Sequence, residues 1–415
     1  MTRAAGRRNV LFVTWDGPGS PFLEGLFLPI FEALRTSDYD FHVLQFTWAE
    51  EVERRRLHAS SAALGIPYRS VAIWRRPIAL GSMLTALNGA LPLRRAIKDW
   101  RIDIVMPRST LPATAARGAT MIGAGRLPML LDADGLPHDE RVELGQGNRR
   151  DGVYRVLRRL ETQAVLRADS ISVRSRRAAD ILTARAGDPG IRRRFHVVAN
   201  ARDAALFRPL DDAARTAVRS RIGVTADQPL LVFAASALGW KNRTDAMLRL
   251  FAAVCARRAD ARLLLLLPDH RETGATLAAF PEIAESCILR SAAPGEVAQW
   301  IGAADLGLAL MHASFSMQAV APIKIGEYLL CGVPVLTSRG IGDFDSLIGS
   351  DTGLCLGETD DAALQAAADW FVGEVIPRRA EFAERCRALG LRHFSLESAV
   401  AGYCAALDAA VSNKR

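Results

Sequence analysis

The chain has 415 residues, of which 50% are hydrophobic, so it exceeds the usual size of one hydrophobic core and predicts two domains. No apolar run approaches the ~20 residues that span a bilayer, and the N-terminus enters a strand-like segment without a signal-peptide cleavage site, so we expect a cytoplasmic protein. The net charge of +8 comes from the N-terminal half: residues 1–205 contain 32 Lys and Arg against 21 Asp and Glu, which leaves 21 against 24 for the remainder.

Strand-like runs alternate with helical patterns from the N-terminus onward. In the first half the predicted helices include 22–35 and 153–167, and the predicted strands are 9–14, 40–46, 102–106, 128–132, 170–173 and 195–198. This alternation predicts a βαβ series with a parallel sheet.

The same alternation starts again after residue 209. The predicted strands are 230–234, 261–267, 287–289, 306–310, 333–337 and 353–355, and the predicted helices are 243–258, 294–303 and 323–330. Two further helices, 381–389 and 396–410, follow without another strand. The chain therefore repeats one architecture twice.

This repetition predicts an α/β protein with two Rossmann-like, doubly wound domains that face a central cleft, where such sheets bind ligands. Proline and charge interrupt the pattern near residues 207–212. We therefore predict an N-terminal domain of residues 1–205, a C-terminal domain of residues 206–380, and helices in residues 381–415 that pack back across the N-terminal domain.

Basic residues cluster in the N-terminal half, as the arginine pairs 75–76, 94–95, 149–150 and 158–159 and the triplet 192–194. Such clusters suit a phosphate-bearing substrate or an anionic membrane surface, and a solvated arginine-rich surface explains them equally well. We do not predict nucleic-acid binding, because no zinc-ligand spacing, RNP-like motif or GXXG loop accompanies the charge.

Three features of the N-terminal half are candidates for chemistry. Gly17 and Gly19 follow the first strand, where backbone N–H groups can approach an anion or a sugar, although two glycines in such a place also occur by chance. Asp132 and Asp134 form a DxD pair at a strand end, but this spacing occurs twice more in the chain, so we predict no metal site. Asp134 or His138 is instead expected to contact an acceptor hydroxyl, with His138 as a base.

The C-terminal half offers three charged candidates. Lys241 lies between a predicted strand and helix, where an ammonium can stabilise a leaving diphosphate. Lys324 and Glu327 share one face of the predicted helix 323–330, which is otherwise apolar, so an ionised Glu327 needs a partner. A ribose diol fits, because a carboxylate accepts from both hydroxyls, and a surface ion pair is the alternative.

The segment KIGEYLLCGVPVLTS (324–338) resembles the K-x-x-E-Y-x-x-x-G-x-P-V motif of GT-B glycosyltransferases of the retaining family 4. HVVANARDAALFRPL resembles the V-x-x-N-G-V-D-x-x-x-F-x-P crossover of that family, and WKNR is similar to its donor-phosphate loop. DIVMPRSTLPA and LLDADGLPHDE lie where relatives carry an Arg-Ser strand end and an acceptor loop, and HFSLESAVAGYCAAL is similar to their closing helix. The resemblance covers most of the chain.

This resemblance implies an acceptor-binding N-terminal domain and a C-terminal domain that binds a nucleotide diphosphate sugar. The acceptor-binding residues would be Arg108 and Asp134, and the catalytic residues would be Lys241, Asp134 and His138. The donor-binding residues would be Gly17, Gly19, Lys241, Asn242, Pro322, Ile323, Lys324 and Glu327. Neither a metal nor a cofactor is expected besides the donor substrate.

The expected activity is retaining transfer of a sugar to a glycan, lipid-linked or small-molecule acceptor in bacterial polysaccharide assembly. The basic N-terminal half would allow peripheral contact with the inner membrane surface. Two alternatives remain: a sugar-nucleotide epimerase of the same fold, and a non-catalytic scaffold in a glycan assembly complex. The scaffold alternative is supported by Ala319, where relatives carry a second glutamate, and by the absence of a phosphate-binding arginine near Ser236.

Overall fold

The computed structural model describes residues 6–73, 88–235, 238–239, 241–269, 271, 273–293 and 295–413. The chain divides into two compact units. Unit 1 comprises Met1–Ala199 with Ala399–Arg415, and unit 2 comprises Asn200–Ser398. The division therefore lies at Asn200, slightly before the predicted boundary at residue 206.

The C-terminal helices are shared between the two units. The helix Arg379–Phe394 belongs to unit 2, whereas the prediction assigned residues 381–415 as a whole to helices that cross the N-terminal domain. Gly390 explains this placement: a Cβ atom there would lie 2.7 Å from the backbone of the helix Ile323–Leu330. Only a residue without a side chain allows two helices to approach so closely. The next helix, Leu396–Ser412, lies mostly in unit 1.

Within its described residues, unit 1 contains seven parallel strands. Hydrogen bonds order them as β3-β2-β1-β4 and β5-β6-β7, and single bridges from Val105 to Met129 and from Arg108 to Asp132 continue the pairing from β4 to β5. The strands are β1 (Arg8–Asp16), β2 (Tyr39–Thr47), β3 (Tyr68–Ala72), β4 (Ile104–Pro107), β5 (Leu130–Ala133), β6 (Ser170–Val173) and β7 (Phe195–Val197).

The described part of unit 2 contains six parallel strands in the order β10-β9-β8-β11-β12-β13. They are β8 (Leu230–Ala234), β9 (Arg262–Leu266), β10 (Cys287–Arg290), β11 (Leu306–Ala309), β12 (Val335–Ser338) and β13 (Gly353–Leu356). In both units the first strand lies inside the sheet and the fourth pairs on its other side. This is the doubly wound order, with a switch point between those two strands.

Helices connect the strands of both units. In unit 1 the α-helices are Leu28–Leu34, Glu51–Ala63, Ala90–Asp99, Thr110–Ala119, Pro137–Glu143, Gly152–Arg167, Arg176–Ala186 and most of Leu396–Ser412. In unit 2 they are Asp212–Ser220, Thr244–Cys255, Thr273–Leu277, Val297–Gly302, Ile323–Leu330, Phe344–Leu347, Asp361–Trp370 and Arg379–Phe394. Among the described residues, no helix is both long and apolar enough to cross a membrane.

The strands of unit 2 lie in the core of that unit. Every residue of β8 is buried, and its Leu231 and Phe233 side chains pack in one cluster with residues of β9, β11 and the helices Thr244–Cys255 and Asp361–Trp370. Strands covered on both faces read as continuous apolar runs, which is why the sequence predicts them well. Since helices occupy the faces of the sheet, the carboxyl ends of its strands are the place for a ligand.

The prediction for unit 1 named only two helices and did not include, among other elements, the helix Glu51–Ala63 or strand β3. The helix Glu51–Ala63 is rich in charge and buries only Leu57 and Ser61, so its sequence has little helical periodicity. Strand β3 lies at the sheet edge and is mostly half-exposed, so it lacks an apolar run. The predicted helix 294–303 is observed as Val297–Gly302, and its first residue lies outside the described residues.

Candidate functional site

The carboxyl ends of β8 and β11 form the switch point of unit 2. Strand β8 pairs with β9 on one side and with β11 on the other. The connection after β8 and the connection after β11 therefore lead to opposite faces of the sheet. Residues 238–243 follow β8, and the helix Ile323–Leu330 lies between β11 and β12. These two segments carry most of the residues predicted to bind a donor.

The loop after β8 is fixed against the segment that follows β11. The backbone oxygen of Lys241 accepts a hydrogen bond of 2.9 Å from the amide of His312, and Asn242 forms an antiparallel bridge with Met311. The side-chain amide of Asn242 also donates to the oxygen of Leu238 at 3.3 Å. The backbone therefore holds Lys241 and Asn242 at the switch point, immediately before the helix that begins at residue 244.

Lys324 brings a partly buried cation to the same place. Its Nζ donates to Oδ1 of Asn242 at 3.2 Å and lies 4.2 Å from the centre of the Phe233 ring. Burial lowers the pKa of Lys324 to about 8, although the Glu327 carboxylate opposes this change. The ammonium is thus charged at neutral pH, and among the described residues it has no direct ion pair. Such a group favours an anionic ligand, which would restore its preference for the charged form.

The helix Ile323–Leu330 begins beside this ammonium without a side-chain cap. Pro322 has no N–H, so the amides of Ile323 and Lys324 are the donors of the first turn. Nδ2 of Asn200 donates to the oxygen of Ala321 at 2.7 Å and fixes the approach of the chain. Two uncapped amides and a nearby ammonium together form a place where an anion binds favourably.

Glu327 lies one turn further along the helix and is 8% exposed. Its Oε1 accepts a hydrogen bond of 2.7 Å from Nε of Arg202. The partner required by this buried carboxylate is therefore Arg202, which the sequence analysis did not identify. Arg202 takes the place of the valine in the crossover pattern that the segment 196–210 resembles, and this basic residue at an apolar position is the signal that could have identified it.

The scaffold alternative was based on Ala319 and on the absence of an arginine near Ser236, and the structure describes only the first of these positions. Ala319 is fully buried at the end of the short 3₁₀ turn Ser316–Ala319, which precedes the helix Ile323–Leu330. A larger acidic side chain there would have to displace its neighbours or lose hydration. Ser236 lies outside the described residues.

In unit 1, charged residues gather where β1, β4 and β5 end. Arg108 follows β4, and its NH1 donates to Oδ1 of Asp16, at the end of β1, at 3.1 Å. Its NH2 donates to Oδ2 of Asp134, just after β5. Burial disfavours the charged guanidinium, but Asp134, Asp16 and Asp132 outweigh burial and raise the pKa of Arg108. With 31% of its side chain exposed against 9% for Arg108, Asp134 is the more accessible of the two predicted acceptor residues.

Asp132 is fully buried and engaged within the protein. Both of its oxygens accept hydrogen bonds of 2.9 Å from NH2 of Arg174, and Ser172 donates to Oδ1 at 2.7 Å. The DxD spacing therefore reflects a structural ion pair at Asp132 and an accessible carboxylate at Asp134. Among the described residues, no group of acidic, histidine or cysteine side chains has the arrangement of a metal site.

His138 is buried rather than exposed to the solvent, with 8% of its surface accessible. Its Nε2 lies 2.9 Å from the hydroxyl of Thr110, the first residue of the helix Thr110–Ala119. Burial, followed by the charge of Arg158, lowers the pKa of His138 to about 4. A neutral imidazole with so low a pKa is a weak base, so this environment favours an orienting role for His138 over the predicted catalytic one.

Gly17 and Gly19 follow β1, and the local structure gives a different reason for glycine at each position. A Cβ atom at Gly17 would lie 2.5 Å from the ring of Trp48, so close packing requires glycine there. Gly19 has a φ of +72°, and its amide donates to Oε1 of Glu53 at 2.8 Å. The Gly19 amide thus already binds a carboxylate, and its predicted contact with a donor stays a prediction.

No protein-family model matches the sequence, and no curated protein matches it. Solved structures do resemble the fold. The Anabaena protein Alr3699/HepE, solved in complex with UDP, is 17% identical, with a TM-score of 0.68 over 96% of this chain and 99% of that chain. A glycosyltransferase from Rickettsia africae is 14% identical, with a TM-score of 0.73 over 98% and 99%. A putative UDP-N-acetylglucosamine 2-epimerase from Listeria monocytogenes is 16% identical, with a TM-score of 0.59 over 97% and 96%.

These similarities extend over nearly the whole of each chain. At sequence identities of 17% and 14%, they show a shared fold. They agree with the two parallel, doubly wound sheets described above. The predicted α/β class and the resemblance to GT-B enzymes are therefore confirmed: the protein has the GT-B fold of glycosyltransferases.

Proposed function

We propose that the protein is a glycosyltransferase that moves a sugar from a nucleotide diphosphate sugar to an acceptor hydroxyl with retention of the anomeric configuration. The observation that carries this proposal is the grouping of Lys324, Asn242 and Glu327 at the switch point of unit 2. A cation beside uncapped amides suits a diphosphate, and a carboxylate one turn away suits a ribose. The similarity in fold to HepE, which was solved with UDP, supports this class of ligand.

The donor would be held by groups with separate tasks. Glu327 would accept from the ribose, whereas Lys324, Lys241 and the amides of Ile323 and Lys324 would bind the phosphates. Pro322 would keep the approach to these amides open, and Asn242 would orient the Lys324 ammonium, to which it is already bonded. The predicted contacts of Gly17 and Gly19 with the donor belong to this proposal and await a test of their own.

The same groups would promote departure of the diphosphate. Negative charge grows on the leaving phosphate oxygens as the bond to the sugar breaks, and fixed positive groups stabilise that charge more than the ground state. In the front-face route to retention, a phosphate oxygen takes the proton of the attacking hydroxyl. This route requires no enzymic nucleophile, so the catalytic contribution of Lys241 and Lys324 would be electrostatic.

Asp134 and Arg108 would orient the acceptor in unit 1. Asp134 is accessible and can accept a hydrogen bond from a sugar hydroxyl, while Arg108 fixes its carboxylate through the ion pair between them. His138 would hold Thr110 at the helix start rather than remove a proton. This assignment places acceptor recognition on Asp134.

We further propose that transfer needs no divalent cation. The carboxylates at the end of β5 already face guanidinium groups: Asp132 is paired with Arg174, and Asp134 is paired with Arg108. A cation would have to displace these partners before it could bind. Activity that persists in EDTA, with no gain on added Mg²⁺ or Mn²⁺, is the expected result, and a metal requirement would contradict this part of the proposal.

A lipid-linked acceptor at the inner membrane surface would suit one region of unit 1. Arg94, Arg95 and Lys98 are exposed on one helix and have no ion pair among the described residues. This helix contacts the turn that carries Met121 and Ile122, which are 76% and 41% exposed. Basic and apolar groups side by side match an anionic bilayer. Sedimentation with phosphatidylglycerol vesicles, lost in a variant with all three basic residues changed to glutamine, is the expected behaviour.

The reaction is tested by following nucleotide release and the anomeric proton by NMR, with nucleotide sugars, lipid-linked saccharide acceptors and EDTA. Release of the nucleotide together with a product of unchanged anomeric configuration supports the proposal, and inversion would contradict its mechanism. An altered sugar nucleotide formed without an acceptor would favour the epimerase, for which the fold of the Listeria protein gives support. Nucleotide binding without turnover would favour the scaffold.

A further inference from the structure

Arg202 and Glu327 form an ion pair in a mostly buried part of unit 2. Nε of Arg202 donates to Oε1 of Glu327 at 2.7 Å, and 20% and 11% of the two side chains are exposed. Separating such a pair would leave two poorly hydrated charges without compensation. The Glu327 carboxylate therefore has one strongly preferred orientation.

The backbone on both sides of this contact is fixed. The amide of Arg202 donates to the oxygen of Phe394 at 2.9 Å, and its oxygen accepts from the amide of Leu396 at 2.9 Å. The Arg202 guanidinium also lies 5.9 Å from the centre of the Phe207 ring. Glu327 belongs to the buried part of its helix. The ion pair thus joins two rigid segments and is not a flexible surface contact.

The two oxygens of the Glu327 carboxylate differ in their surroundings. Oε1 accepts a hydrogen bond from Arg202, and this bond uses part of the capacity of Oε1 to accept hydrogen bonds. Among the described residues, no hydrogen bond to Oε2 accompanies the one to Oε1, and 11% of the Glu327 side chain is exposed. An incoming ligand therefore meets Oε2 as the less engaged acceptor.

We propose that Arg202 determines which ribose hydroxyl this protein recognises. The inference rests on the proposed function, in which Glu327 binds the ribose of a nucleotide diphosphate. By holding Oε1, Arg202 makes Oε2 the main acceptor, so that one hydroxyl contributes much more to affinity than the other. A carboxylate without this partner would rotate and accept from both hydroxyls on more equal terms.

Arg202 acts here as a positioning residue, because it works through Glu327. Its loss has a different signature from loss of Glu327 itself. Removing the carboxylate removes ribose recognition, whereas removing Arg202 changes the relative importance of the two hydroxyls. The difference between two deoxynucleotides is therefore the informative quantity, and overall affinity is not.

The experiment measures the Kd of UDP, ADP and GDP, and of the 2′-deoxy and 3′-deoxy form of each, by calorimetry. The proteins are the wild type, Arg202→Met and Arg202→Lys, the last of which keeps the charge. For the nucleotide that binds, one deoxy form should bind about 10- to 100-fold more weakly to the wild type, the range of a hydrogen bond to a charged group. The other deoxy form should bind within about threefold of the parent nucleotide.

In Arg202→Met the two deoxy forms should differ by less than about threefold, and Arg202→Lys should lie between this variant and the wild type. An unchanged ratio in Arg202→Met, or an equal loss for all nucleotides, would overturn the proposal and leave Arg202 a packing role. Wild-type deoxynucleotides that bind alike would overturn it too, without affecting the proposed function. If the wild type binds none of the three ribonucleotides and does not bind dTDP, the proposed function itself is rejected. A cooperative unfolding transition in urea, with a midpoint that is lower in Arg202→Met because Glu327 loses its partner, confirms that the variants are folded.

Discussion

Lys324→Met tests the cation at the start of the helix Ile323–Leu330. Methionine keeps an unbranched apolar side chain near the Phe233 ring and removes only the ammonium. Burial lowers the pKa of Lys324 to about 8, so this group changes charge in an accessible pH range. A bound diphosphate would favour the ammonium and raise its pKa, so binding should take up protons above pH 8.

The expected magnitude follows from that pKa. With a value of about 8, roughly 90% of the Lys324 side chains are protonated at pH 7 and roughly 10% at pH 9. If only the ammonium form binds, the affinity for UDP is complete well below pH 8 and falls about tenfold, or ~1.4 kcal/mol, between pH 7 and pH 9.

The assay is calorimetric titration with UDP at pH 7, 8 and 9, in two buffers of different ionisation enthalpy to count the protons taken up. Lys324→Met should bind more weakly at pH 7 and should show neither the decline nor the proton uptake. Lys98→Met removes an exposed lysine of unit 1 and should reproduce the wild type. Ionisation of UDP itself affects all three proteins equally.

A second consequence concerns stability. Below pH 8 the folded protein holds a buried ammonium in an unfavourable environment, so Lys324→Met should raise the free energy of unfolding at pH 7 by about 1–3 kcal/mol. The substitution is expected to stabilise the protein because the pKa of Lys324 is lower in the folded state than in the unfolded chain, so folding disfavours its charged form. A wild-type affinity that does not change with pH, or the same decline in Lys324→Met, would refute the reasoning.

Three further predictions concern single side chains. Asp132→Asn should lower the free energy of unfolding in urea by about 3 kcal/mol, because it leaves the buried Arg174 guanidinium without its carboxylate. Asp134→Asn should reduce sugar transfer but lower the free energy of unfolding by only about 1 kcal/mol or less. Equal losses of stability in the two variants would contradict a structural role for Asp132 and a functional role for Asp134. Gly307→Ala would place Cβ 2.4 Å from a buried tyrosine ring and should lower the free energy of unfolding by ~2 kcal/mol or more, whereas Gly373→Ala, in open space, should not; similar effects would show the packing argument to be wrong. The pKa of His138 is lowered to about 4, so its contribution to stability is complete above its ordinary value of 6.5 and is lost as the pH falls toward 4. Over this range the free energy of unfolding of the wild type should fall by about 3 kcal/mol more than that of His138→Phe. Identical profiles of unfolding free energy against pH would contradict this prediction.

The elements that the sequence predicts best are those that the fold buries most. Strand β8 and the helix Ile323–Leu330 have the predicted bounds, because each is an apolar run ended by glycine, proline or a change in polarity. The charged helix Glu51–Ala63 and the edge strand β3 escaped prediction. Both depend on contacts with one face of the fold, which leave little trace in the local pattern.

The candidate site shows the same division. Local spacing was enough to place Lys324 and Glu327 on one helix, and the order of the strands brings Arg108 to Asp134. The pairing of Arg202 with Glu327 joins residues that are 125 positions apart, and spacing carries no information about such a contact. The low pKa of His138 likewise comes from burial, which the loop sequence does not predict.

The central claim is that Glu327 helps to bind a nucleotide diphosphate sugar. Its most direct test is calorimetry of UDP-, GDP-, ADP- and dTDP-sugars, with EDTA present, against the wild type and Glu327→Ala. We expect saturable binding of one donor, weakened in the variant by ~1–3 kcal/mol, the cost of lost hydrogen bonds to a carboxylate. The absence of binding to the wild type, or equal affinity in the two proteins, would contradict it.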